Sequence, residues 1–84
     1  MKFYLLTDSP LIASEYNLFA IGENIFFKVE VFPKGFFISC MEQRNAKPLQ
    51  GSEEITREDF LETIKKIEQT FGIDFNFKKN YLPF

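Results

Sequence analysis

The chain has no histidine and no tryptophan, and only one cysteine among its 84 residues. Without histidine the commonest general base is gone, and with it every Ser-His or Cys-His arrangement for nucleophilic catalysis. A structural zinc site needs four Cys or His ligands, and Cys40 stands alone. Alone, it also cannot close an internal disulfide. The four glycines, at 22, 35, 51 and 72, never gather into a phosphate-cradling loop. Long apolar runs are missing too. The opening MKFYLLTDSP has four apolar residues after Lys2 and then turns polar, whereas a signal peptide needs a run of about 7–15 and a membrane helix about 20. These absences predict a chain that is no enzyme, binds no metal or cofactor, avoids membranes and resides in the cytoplasm. Asp8 with Glu15 is an acid pair that could do acid-base work, and it reads as solvated surface.

Phenylalanine is what the chain has in excess, with twelve copies. Rings bury large areas at low entropic cost, which suits both a small core and a contact surface. The length predicts a single domain over 1–84 with a modest stability margin, on the order of 4–8 kcal/mol. Twelve acidic against ten basic groups give a formal charge of −2. That opposes general nucleic-acid binding, which draws its affinity from phosphate neutralisation.

Hydrophobic periodicity places the elements. Lys2 to Leu6 is apolar on both faces, as in a central strand. Tyr16 to Ile21 reads as a second strand, followed by a Gly22-Glu23-Asn24 turn. Ile25 to Phe32 sets Ile25, Phe27, Val29 and Val31 on one face. Pro33-Lys34-Gly35 fits a type I turn with Gly35 left-handed, after which Phe36 to Gln43 returns antiparallel. Closed as a three-residue loop, that hairpin opposes Phe32 to Phe36, Val31 to Phe37 and Phe27 to Met41; a one-residue slip opposes Val31 to Ile38 instead. Cys40, flanked by strand, reads as a small buried hydrophobe. The stretch 45–55 reads as one long connection. Thr56 then caps a helix with Asp59 three residues on, and Phe60, Ile64, Ile67 and Phe71 repeat at helical spacing up to Gly72. Alternation in IDFNFKK predicts a final strand. The expected class is α+β: one mostly antiparallel sheet of four to five strands carrying one amphipathic helix, in the order β-β-β-β-α-β.

A single helix covers one sheet face only. The second face is expected to keep Phe26, Phe32, Phe36 and Ile38, and these four are the expected interface of a homodimer. The competing expectation is that the segment 11–21, or the YLPF tail, folds over that face. A second candidate surface is acidic. Glu53, Glu54, Glu58, Asp59 and Glu62 crowd the start of the helix, where Glu58 and Asp59 complement its dipole and the others are free to meet a basic partner protein. Small size, acidity and missing chemistry together suggest a protein-binding inhibitor, of the kind found among bacterial toxin-immunity proteins and phage-encoded inhibitors, that neutralises a nuclease toxin. The alternatives are an accessory subunit of a larger complex, or a nucleic-acid-binding module stacking bases on sheet aromatics near Lys65-Lys66 and Lys78-Lys79. KGFFISCM lacks the second Gly/Ala-Phe step of the RNP1 pattern, which places nucleic acid last.

Overall fold

The computed structural model describes residues 1–74. Strands β1 (Lys2–Thr7), β2 (Tyr16–Ile21), β3 (Ile25–Phe32), β4 (Gly35–Glu42) and β5 (Glu53–Ile55) form one antiparallel sheet in the order β4-β3-β2-β1-β5. Helix α1 (Arg57–Phe71) packs on one face. The class is therefore α+β, as the patterning predicts. The fifth strand, however, precedes the helix. β5 is three residues long with two glutamates, too short and too charged to show a period, and it forms by pairing with β1, Phe3 opposite Ile55. The strand expected after the helix lies mostly outside the described residues, and Ile73 and Asp74 at its start are irregular.

The helix follows its sequence signals. Thr56 is extended and its hydroxyl accepts from the Asp59 N–H at 3.1 Å, which satisfies one of the open donors of the first turn. Gly72 closes the other end in the left-handed conformation (φ 66°), and its N–H donates to the Glu68 carbonyl. Between the caps Phe60, Ile64 and Ile67 are buried against Phe3, Leu18, Ala20, Phe27, Val29 and Val31. The Phe60 ring lies 4.7 Å from Phe3 and 6.2 Å, edge-on, from Phe27. Such pairings add to the area term of burial.

The β3–β4 hairpin adopts neither expected register. Phe32 pairs with Gly35, Val31 with Phe36, Val29 with Ile38 and Phe27 with Cys40. The loop is only Pro33-Lys34, and Gly35 has no positive φ. A one-residue change of register moves every β4 side chain to the opposite face. The hydrophobic pattern selects this register, because Ile38 now opposes Val29 in the core where the expected pairing would have set Ser39. Phe36 and Ile38 are thereby corrected. Both lie half-buried on the helix face, with the Phe36 ring 5.2 Å from Phe71. Cys40 is corrected as well: it shares their face but sits at the outer strand beyond the buried stripe, and it is exposed.

Candidate protein-contact surfaces

Opposite the helix the sheet divides into two halves. Across β1 and β2, Leu6, Asn17 and Phe19 are buried although they face away from the helix. Two connections reach Leu6 and Asn17, and the Phe19 ring lies 5.8 Å from that of Phe26. Residues 43–52 must run from the β4 edge to the β5 edge, and Gly51 lies against Leu6, so that a Cβ at Gly51 would be 3.5 Å from Leu6 Cδ1. In the other connection the Ser14 hydroxyl donates to Asn17 Oδ1, and the Glu15 N–H donates to the Val31 carbonyl at 2.8 Å. Irregular chain thus reaches part of the second face, but not as expected: residues 16–21 are β2 within the sheet, the chain against Leu6 comes from 43–52, and the YLPF tail lies outside the described residues.

The β3–β4 half is different. Phe26 stands opposite Met41, Lys28 opposite Ser39, and Glu30 opposite Phe37. Phe37 is 66 % exposed and Met41 48 % exposed, while Phe26 and Phe32 are half-buried. The Phe32 and Phe37 rings meet edge to face at 5.7 Å. Lys28 and Glu30 form a 2.7 Å ion pair between the two apolar ends. Of the four expected interface residues this face keeps Phe26 and Phe32, and gains Phe37 and Met41. The sequence held only a partial signal for the exchange: one of the two phases of β4 sends Ile38 inward and Ser39 outward, but that choice is made against Val29 on the paired strand.

Shallow grooves flank the outer strand. One of about 480 Å³ is lined at the hairpin tip by Phe32, Pro33, Lys34, Gly35, Phe36 and Phe37. Another of about 390 Å³ lies at the strand's far end between Ile25, Cys40 and Met41. Although the residue is exposed, partial desolvation of its thiol raises Cys40 above its ordinary value, which reduces its thiolate fraction at neutral pH.

The acidic residues gather at the opposite edge. Glu53 and Glu54 lie on β5 opposite Leu5 and Tyr4. Thr56 turns the chain directly into α1, whose first turns carry Glu58, Asp59 and Glu62. All five carboxylates are exposed, and no ion pair joins any of them within the described residues. Among the described residues no three His, Cys, Asp or Glu side chains converge as a metal set, and no helix is long and apolar enough to cross a membrane. No protein-family model matches the chain, and no curated protein and no solved structure is significantly similar to it.

Proposed function

We propose that this chain works by binding another protein, as an inhibitor of the immunity type that docks on a basic toxin nuclease. The reading rests on the β5–α1 edge, where five exposed carboxylates project within ten residues without a cation paired to them in the described structure. Glu58 and Asp59 are explained by the helix dipole. Glu53 and Glu54 precede the cap, and dipole complementarity leaves them without a role. A concentrated negative edge raises the encounter rate with a basic partner and disfavours acidic ones.

The nucleic-acid alternative meets an obstacle on the aromatic face. A base-stacking sheet needs cations beside its rings, yet of the two lysines near them Lys28 is paired with Glu30 at 2.7 Å and Lys34 stands in the hairpin turn. An accessory-subunit role draws on the same surfaces and separates from inhibition only by what the partner does.

The test is capture of partners from the source cells with the native chain as bait, identification by mass spectrometry, and stopped-flow association with the partner recovered. A Glu53→Gln, Glu54→Gln, Glu62→Gln variant should keep its fold, associate more slowly, and lose salt dependence. Association at the native rate in low salt would remove the acidic edge from the interface. A captured partner that is acidic would overturn the reading altogether.

A further inference from the structure

The two edges of the sheet are protected very differently. β5 is short and carries two glutamates, the usual defences against a second strand. β4 is eight residues long, contains no proline or lysine, pairs with β3 without a bulge, and bears its one charge at Glu42. Its outward backbone groups follow from the ladder. The Gln43 N–H donates to the Asn24 carbonyl at 3.0 Å, and hydrogen-bonded pairs recur at every second residue. Met41, Ser39 and Phe37 therefore turn their amides to β3, and Ile38 and Cys40 turn theirs outward. Among the described residues no strand lies outside β4.

We infer that β4 pairs with β4 of a second copy of this chain, antiparallel about a twofold axis through Ser39. This goes beyond the inhibitor reading and does not depend on it. Opposed residues must share a sheet face, so a twofold pairing near the strand's centre sets Ile38, Ser39 or Cys40 opposite itself. The Ser39 register alone among these three places Phe37 opposite Met41, and it does so twice. Phe37 is the most exposed large hydrophobic residue among those described, and Met41 is nearly half exposed. These contacts fall at non-hydrogen-bonded positions, where opposed side chains are closest. Ile38 and Cys40 occupy the hydrogen-bonded positions between them, and the two Ile38–Cys40 pairs exchange four hydrogen bonds. No charge lies between Phe37 and Met41. Antiparallel pairing also brings Glu42 of each copy diagonal to Lys34 of the other, whereas a parallel arrangement would line Glu42 against Glu42.

Light scattering at high micromolar concentration should give the mass of two chains. The register is read by cross-linking in a glutathione redox buffer. Ser39 opposite itself has a Cα separation of about 4.5 Å, within the roughly 4.4–6.8 Å a disulfide spans. A Ser39→Cys variant on a Cys40→Ser background should become a covalent dimer, and the native chain, with Cys40 opposite Ile38, should not. Cys40→Pro removes only an outward amide, a position an edge strand tolerates, and should give a folded monomer with an unchanged far-ultraviolet dichroism spectrum. A native mass of one chain would overturn the proposal, as would a folded Cys40→Pro dimer, or a native chain that cross-links as readily as the Ser39→Cys variant. Should Cys40→Pro fail to fold, the cross-linking pair and the native mass still decide.

Discussion

Replacing Ile64 by alanine tests the packing of α1 on the sheet most directly. Ile64 is 1 % exposed, with Phe60 one turn before it and Ile67 one turn after, both buried. Truncation removes three carbons, worth about 2.4 kcal/mol at roughly 0.8 kcal/mol each. If about half of their volume, on the order of 40 Å³, stays open, the cavity adds about 1 kcal/mol. The expected loss is about 3 kcal/mol, against the total of roughly 4–8 kcal/mol expected for a chain of 84 residues. With a urea slope near 1 kcal/mol per molar for so small a protein, the midpoint should fall by about 3 M. Ile64→Val should lower it by only about 1 M, and Lys65→Ala, on the exposed side of the same turn, should move it by less than about 0.5 M. An Ile64→Ala midpoint within about 1 M of native at unchanged slope would refute the reasoning, because a cavity of that cost cannot arise at a loosely packed site.

Two further outcomes follow from local geometry. Thr56→Ala deletes the hydroxyl that accepts from the Asp59 N–H and should cost about 1 kcal/mol, seen as a thermal midpoint lower by roughly 4–8 °C; no shift would show that the cap is redundant. Burial, reinforced by the neighbouring Glu15 carboxylate, raises the Tyr16 phenol above its ordinary value of 10.0. The folded state then holds this proton more tightly than the unfolded one, so the contribution is complete below the unfolded value and is lost as pH rises through the folded one. Denaturant midpoints should decline on the alkaline side above about pH 10, and Tyr16→Phe should flatten that decline. An identical decline in the variant would assign it to other groups.

The parts of the fold that were legible in the sequence are those where one local signal is enough. Thr56, the Phe60–Ile64–Ile67 stripe and Gly72 specify the helix by cap, period and terminator, and each performs that role. β1 and β2 were legible as short apolar runs closed by turn residues, and β3 by its alternation. β5 was not. Its three residues carry no period, and its existence depends on β1 offering an open edge, which is a property of the assembled sheet. The β4 register failed for a related reason. Pro33 and Gly35 fit both a two-residue and a three-residue loop, so the turn alone does not decide. The decision falls to whether Ile38 or Ser39 meets Val29, a comparison that exists only once the strands are paired.

That one comparison also determines the chemistry of the outer surface. Phases of β4 differing by one residue expose complementary sets, so burying Phe36 and Ile38 necessarily sends Phe37, Ser39 and Met41 to the face without a helix. Core packing therefore produces an apolar outer strand as a consequence. Two features keep that exposure local. The Lys28–Glu30 pair interrupts the rings on β3, and the connections 8–15 and 43–52 reach Leu6 and Asn17 on the inner half. What remains open is concentrated on β4, beside backbone groups that have no strand outside them in the described sheet. The acidic edge and the apolar edge stand at opposite ends of the strand order, so a self-paired chain presents its two carboxylate clusters outward, one at each end of a continuous sheet. The proposed docking at β5–α1 and the proposed self-pairing at β4 therefore draw on opposite edges of the described sheet, so disrupting one should leave the other's residues unchanged.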